Sequence, residues 1–277
     1  MITENRVCFN GVHTRRLSVA GSGTPTALLH GFGDSADTWR ALLTEFGAAG
    51  RAAFAVDMPG FGQADRREPG AIMPQLDAFV DAVVADTGPV ILMGNSLGAC
   101  VSVRAAGRGS SDVRAAIAVD EPILASHWLM RLGRRRADPF RVLDHRMPIP
   151  KRMYHSVGQR TFTRLLYPDP TLADPEVVAR FTVQHSDRLS TRKMLGDARA
   201  VALETADGYD AERITCPLLI IHGRKDRIIP VHASVRLHEL VPASTLIVMP
   251  NSGHCPQIDD PSGLIRHVLR FIEGEVR

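Results

Sequence analysis

The chain has 277 residues, 44% of them hydrophobic and 23% charged, and a net charge of +3 at pH 7. That composition excludes a disordered chain and leaves room for one large α/β domain with an insertion, or two small domains. No apolar stretch approaches the ~20 residues of a membrane span, and Cys8, Cys100, Cys216 and Cys255 are too widely spaced for a metal cluster or a disulfide framework.

The N-terminus, Met1-Ile2-Thr3-Glu4-Asn5-Arg6-Val7, has no basic stretch leading into an apolar one. A signal peptide is not expected, and reduced thiols in a cytoplasm are the simplest reading. The segments Arg6–Phe9 and Thr14–Val19, with Gly11 between them, suit an antiparallel opening pair. Short aliphatic runs then recur as buried strands would: Thr26–Leu29, Ala52–Val56, Val90–Met93, Ala115–Val119, Leu218–Ile221 and Thr245–Met249. Apolar residues at helical spacing fill Leu76–Thr87, Leu97–Ala106, Val231–Leu240 and Ser262–Val276. Alternating strands and helices predict a mostly parallel sheet covered on both faces.

The rhythm breaks after Asp120-Glu121-Pro122. From Ile123 to about Ala206 helix-like pieces are divided by Pro139, Pro148, Pro150, Pro168, Pro170 and Pro175, with no convincing β run. Such an insertion would sit above the carboxyl edge of the sheet, where open α/β folds bind ligands, and is expected to act as a lid. Its large side chains, among them Trp128, Phe140, Met147, Phe162, Tyr167 and Phe181, should mostly pack the lid's own core. Eight basic residues lie between Arg131 and Arg152 (Arg131, Arg134, Arg135, Arg136, Arg141, Arg146, Lys151, Arg152) against Asp138 and Asp144. Without interleaved stacking aromatics they do not make a nucleic-acid site, and a solvated face is expected.

Gly94-Asn95-Ser96-Leu97-Gly98 carries the most chemistry, because it joins the run Val90–Met93 to a helix-like segment. A Gly-x-Ser-x-Gly in a loop is common by chance. Between a buried strand and a buried helix it is a nucleophile elbow, where a Cβ at position 94 or 98 would collide with its neighbours and the serine sits in a strained conformation. Serine needs a base and the base an orienting acid. Among 11 histidines, His254 is the candidate base, in a Gly-containing loop after the last strand. Asp226, after the penultimate strand, is the candidate acid, and it keeps the chain order Ser…Asp…His, while Asp120 is the alternative. Asp57 is expected to anchor the turn at Met58–Gly62, and His222 to be structural. Oxyanion donors are expected from the backbone N–H of Leu97 and, in the loop His30-Gly31-Phe32-Gly33, from that of Phe32.

Together His30-Gly31-Phe32-Gly33, Asp57–Gly62, the Ser96 elbow, Gly223-Arg224-Lys225-Asp226 and Gly253-His254 make the chain resemble the α/β-hydrolase fold family over nearly its whole length. The resemblance implies a mostly parallel eight-stranded sheet flanked by helices, with a helical cap after the sixth strand. The core would comprise residues 1–122 and 207–277, and the cap residues 123–206. It also implies a Ser-His-Asp hydrolase without cofactor or metal, acting on a small-molecule substrate and not on nucleic acid or membrane. Serine at 96 disfavours the branches that use an aspartate nucleophile. Asparagine before the serine and Gly-Arg-x-Asp around the acid are similar to the meta-cleavage-product hydrolases, which cut carbon–carbon bonds. That group has tryptophan after the histidine, where this chain has Cys255-Pro256. The leading reading is therefore hydrolysis of a carboxylic ester or thioester. C–C bond hydrolysis, perhydrolase chemistry and small-molecule sensing on the same fold are its alternatives.

Overall fold

Asn10 and Gly11, at φ 49° and 79°, turn the chain between β1 (Thr3–Phe9) and β2 (Val12–Val19). Positive φ at both central residues is what a two-residue hairpin requires, and the strands pair antiparallel with Phe9 opposite Val12. This is a computed structural model, and it describes residues 1–124, 135, 138, 141, 151–183 and 187–276. The further strands are β3 (Ser22–Leu29), β4 (Arg51–Val56), β5 (Val90–Asn95), β6 (Val113–Val119), β7 (Leu218–Gly223) and β8 (Thr245–Met249). They form one eight-stranded sheet in the order β1-β2-β4-β3-β5-β6-β7-β8, parallel from β4 onward.

Every strand expected from the sequence is present. Apolar runs with little alternation mark strands covered on both faces, and β5 and β7 are buried along their whole length. One face packs α2 (Ile72–Thr87) and α3 (Leu97–Gly107) through Leu76, Phe79, Val83 and Val101 onto Phe54, Leu92 and Ile220. On the other face Trp39, Leu42 and Phe46 and, from a C-terminal helix, Leu264, Val268 and Phe271 cover Leu28, Ile91 and Ile117. Leu42 and Phe46 belong to α1 (Arg40–Ala48), which the sequence reading did not pick out. α2 starts four residues before the expected Leu76. Pro74 is no obstacle there, because a first-turn proline gives up no intrahelical bond.

Between β6 and β7 the described residues form α4 (Lys151–Leu166), α5 (Pro175–Val183) and α6 (Arg188–Glu204), and no strand. Leu166, Tyr167, Val177, Val178 and Phe181, with Phe162 beside them, make a small separate cluster, and core residue Cys255 joins it. Trp128, Phe140, Met147, His127, His145, His185 and, of the basic segment, Arg131, Arg134, Arg136 and Arg146 lie outside the described residues. Arg135 and Arg141 lie within them and are exposed. Glu204, the last residue of α6, accepts from the N–H of Ile72 (3.1 Å) and Met73 (2.7 Å) at the start of α2. Arg67 of the core pairs with Asp197 of α6. These bonds fasten the insertion to the core by its second end. The remaining helices are α7 (His232–Leu240), the single turn α8 (Pro256–Asp259) and α9 (Pro261–Glu275). No described helix is long and apolar enough to cross a membrane.

Candidate active site

Ser96 stands between β5 and α3 at φ 54°, ψ −113°. Among the described residues only Asn10, Ser96 and Asp120 combine a side chain with positive φ. Such a conformation costs of order 1–3 kcal/mol and persists only where its surroundings hold it. Here the Ser96 N–H donates to the Val119 carbonyl (2.9 Å), and its own carbonyl accepts from the Cys100 N–H (2.9 Å). A Cβ on Gly94 would lie 2.0 Å from the carbonyl carbon of Gly98, and one on Gly98 would lie 2.0 Å from the Leu29 carbonyl oxygen. The two glycines are therefore required by backbone contact with the helix and with the neighbouring strand.

Leu97 is the first residue of α3, so its N–H has no acceptor within the helix. The loop after β3 lies against the elbow, since a Cβ on Gly31 would be 3.5 Å from that of Ser96. Phe32 follows, its ring edge-on to Phe61 at 5.4 Å. Buried His30 fixes this loop: Nδ1–H donates to the Gly31 carbonyl (2.8 Å) and Nε2 accepts the Met58 N–H (2.9 Å). Burial pushes its pKa down, which suits a neutral ring. Asp57 accepts from the N–H of Ala36 (2.6 Å) and Gln63 (2.9 Å) and from Arg15 Nε (3.0 Å). It is an anchor for the turn that follows it, as expected.

Across the elbow, His254 Nδ1 lies 2.7 Å from Asp226 Oδ2. The other oxygen of Asp226 accepts from the N–H of Ile228 (2.6 Å) and Ile229 (2.9 Å). Burial alone would raise the pKa of this carboxyl, but His254 and these donors outweigh it and hold it below the usual range. An ionised carboxylate only accepts, so the ring proton of His254 sits on Nδ1 and Nε2 is left as an acceptor. The acid and histidine loops touch through Gly223, where a Cβ would lie 2.0 Å from the Gly253 carbonyl oxygen. His222 is structural: Nε2–H donates to the Ile229 carbonyl (3.0 Å) and Nδ1 pairs with Ser234 Oγ (2.7 Å).

Sequence reasoning missed three connections. Asn95 Nδ2 donates to the His254 carbonyl (2.8 Å), and the Cys255 thiol lies 3.8 Å from Asn95 Oδ1, so the residue before the serine ties the elbow to the histidine loop. Arg227, next to Asp226, donates to the carbonyls of Arg164 (3.1 Å) and Pro168 (3.0 Å), seating the end of α4 on the acid loop. Glu121 and Tyr209, where the chain leaves and re-enters the core, meet at 2.5 Å. Only Asn95 left a signal, as the polar residue at the end of an apolar strand. Asp120, His222 and Asp226 bring one ligand-type atom each to within 4.8 Å of one another. His222 Nε2 already donates to a carbonyl and Asp226 already holds His254, so a metal there would have to displace both.

The family model described as the alpha/beta hydrolase family matches residues 27–267. The 2-hydroxy-6-oxo-2,4-heptadienoate hydrolase of Pseudomonas putida is 28% identical, over 97% of this chain and 96% of its own. The 2-hydroxy-6-oxo-6-(2'-aminophenyl)hexa-2,4-dienoic acid hydrolase of Metapseudomonas resinovorans is 25% identical, over 97% of this chain and 90% of its own. The solved structure of the meta-cleavage product hydrolase of Pseudomonas fluorescens IP01 superposes with a TM-score of 0.77 at 23% identity, covering 97% of each chain.

Proposed function

The chain belongs to the alpha/beta hydrolase family, and from that premise we propose that it cleaves a carboxylic ester or thioester of a small molecule through an acyl-enzyme on Ser96. The observation that carries this reading is the 2.7 Å bond between His254 Nδ1 and Asp226, on loops joined to the Ser96 elbow through Asn95. Nε2 of His254 takes the Ser96 proton as Oγ attacks the carbonyl carbon, and Asp226 stabilises the imidazolium that forms. The N–H groups of Leu97 and Phe32 receive the negative charge that develops on the carbonyl oxygen, with the positive end of α3 behind Leu97. The proton then passes from Nε2 to the leaving alcohol or thiol. A water molecule, activated in the same way, attacks the acyl carbon and releases the acid and Ser96.

The relatives favour a second reading, C–C bond cleavage, because two proteins named as hydrolases of 2-hydroxy-6-oxo-dienoates align with nearly the whole chain. Ester cleavage is preferred because Cys255, buried in the α4–α5 cluster, follows His254, whereas the resemblance to the meta-cleavage-product hydrolases implies a tryptophan there. Burial pushes the Cys255 thiol pKa well up, which suits packing and not nucleophilic attack. The four cysteines are free, which supports work in the cytoplasm. The deciding experiment sets p-nitrophenyl esters of increasing acyl length beside a vinylogous 1,5-diketone in the same enzyme preparation. The ester reading expects kcat/KM for the best ester to exceed that for the diketone by at least about tenfold, a difference of 1.4 kcal/mol in barrier. The opposite order assigns the protein to C–C cleavage.

A further inference from the structure

Asp120 directly follows β6, is completely buried and is held at φ 52°. Its N–H donates to the Ile221 carbonyl (2.9 Å), and Oδ1 accepts the Gly223 N–H (2.8 Å). Oδ2 is buried without a hydrogen-bond partner. Asp226 is the neighbouring carboxylate, yet the two are treated unequally: Asp226 accepts from two backbone N–H groups and the His254 ring, Asp120 from one N–H. Among the described residues, the titratable groups that act most strongly on Asp120 are His222 of β7 (3.5 Å from Oδ1), Asp226 after β7, Cys255 after β8, and Asp259 of α8. None is a lysine or arginine. The nearest ring, His222, has its pKa pushed down by burial and donates Nε2–H to a carbonyl, so it supplies no positive charge.

Two buried carboxyl groups this close cannot both ionise when one has three donors and the other a single N–H. We propose that Asp120 is held as the neutral acid, its proton on the otherwise unpartnered Oδ2, and that it acts as a positioning residue for the Asp226–His254 pair. Resting on the serine-hydrolase reading above, this gives Asp120 a different task from the catalytic acid it could have been by its place after β6. One negative charge then resides in the pair, localised on Asp226, where it matches the single positive charge of His254 during acyl transfer. The neutral acid also fills a space in which a second charge would resist folding. Burial and the charge of Asp226 together push the Asp120 pKa well above the ordinary carboxylate value, in keeping with the geometry. The two groups titrate as a pair, and it is the pair's second ionisation that is deferred.

The test combines a spectroscopic readout with kinetics. In wild-type protein labelled with ¹³C at the aspartate carboxyl, one carbon should keep the chemical shift of a protonated acid at pH 8, and that signal should vanish in Asp120→Asn. The pKa of Asp259 reaches only about 6, so that residue is ionised at pH 8 and does not interfere. For a p-nitrophenyl ester, Asp120→Asn keeps a neutral donor. It should lower kcat by less than about tenfold, leave KM unchanged and keep the acid limb of kcat/KM within about 0.3 pH unit. Absence of any protonated aspartate at pH 8 overturns the proposal. So does a fall of the acid limb by about one unit or more in Asp120→Asn, because removing a true negative charge would do that. If Asp120→Asn does not fold, the wild-type carbon signal alone decides. If Ser96→Ala retains ester turnover, the serine-hydrolase reading fails, while the signal still reports Asp120.

Discussion

Around Ser96 the constraint is steric. Gly94 and Gly98 sit where any Cβ would overlap backbone, and the strained serine is held by main-chain bonds to Val119 and Cys100. Around Asp226 and His254 the constraint is electrostatic: a buried carboxylate with three N–H donors, a second buried carboxyl beside it, and a histidine loop held by Asp259 through the Gly253 N–H (2.7 Å). A single methyl group breaks the first region and a single proton or charge breaks the second. The difference separates mutations that remove the fold from mutations that remove the chemistry.

The largest effect expected is at the elbow, where two changes should fail in different ways. Ser96→Ala keeps every backbone contact, so the protein should unfold at the wild-type temperature within a few degrees while ester turnover falls by about 10⁴-fold or more. Gly98→Ala puts a methyl group 2.0 Å from the Leu29 carbonyl oxygen and should destabilise by more than about 4 kcal/mol, which would leave little folded protein. Thermal unfolding measured beside activity tells the two apart. Ser96→Ala within tenfold of wild type would remove the serine from the chemistry.

Asp226→Asn tests the second region. The amide keeps the volume but loses the charge, and its NH₂ group forces the wrong proton arrangement on His254. Turnover should fall by about 10⁴-fold in kcat, with a smaller loss for Asp120→Asn. Stopped-flow measurement of acyl-enzyme formation would follow the step affected. Equal losses for the two asparagine variants would mean that the acid role is shared and that the asymmetry of donors has no catalytic meaning.

How much of this was legible in the sequence follows the same division. Strands such as Val90–Met93 and Leu218–Ile221 announce themselves because a strand covered on both faces must be a continuous apolar run. Ser96, Asp226 and His254 stand out as candidates in the sequence because the glycines near them have steric reasons that survive in one dimension. Helix α1 was missed because nine residues, one of them Gly47, make a weak periodic signal and its stability comes from packing. The cap contacts left no local trace: Arg227 reaches carbonyls 59 and 63 residues away, and Glu204 caps a helix more than 130 residues earlier. Hydrogen bonds to backbone place no demand on the identity of the partner residue, so no sequence pattern marks them.

The junctions of the insertion carry a third expected effect, on stability and not on turnover. Glu121 is fully buried, accepts from the N–H of Ile123 and from Tyr209 Oη, and has its pKa raised by burial to about 7. A carboxyl whose folded pKa lies above its unfolded value contributes most stability below the unfolded value and loses it as pH rises through the folded one. The window therefore runs from about pH 4.5 to 7, and Asp259, raised to about 6, acts in the same direction. Glu121→Gln abolishes the first of these titrations. Relative to wild type it should gain up to about 3 kcal/mol between pH 5 and pH 8. Urea unfolding at the two pH values measures it, and a constant difference between the proteins would show that Glu121 is already ionised at pH 5.

Asn95 should give the smallest effect and the sharpest comparison, because it belongs to both regions. Its backbone is the last residue of β5, while its side chain donates to the His254 carbonyl and faces the Cys255 thiol. Asn95→Ala leaves the glycines and the main-chain bonds of Ser96 in place, so the steric half survives intact. What it removes is one buried hydrogen bond to the histidine loop, leaving the His254 carbonyl without that donor, a loss of about 1–2 kcal/mol. If that bond aligns the base with the nucleophile, kcat should fall about 5- to 20-fold with KM nearly constant, since misplacement of the base is felt in the transition state and not in substrate binding. If kcat stays at the wild-type value while stability falls, Asp226 and the Asp259 bond to Gly253 position His254 without help from the elbow. The steric and electrostatic halves of the site would then be independent.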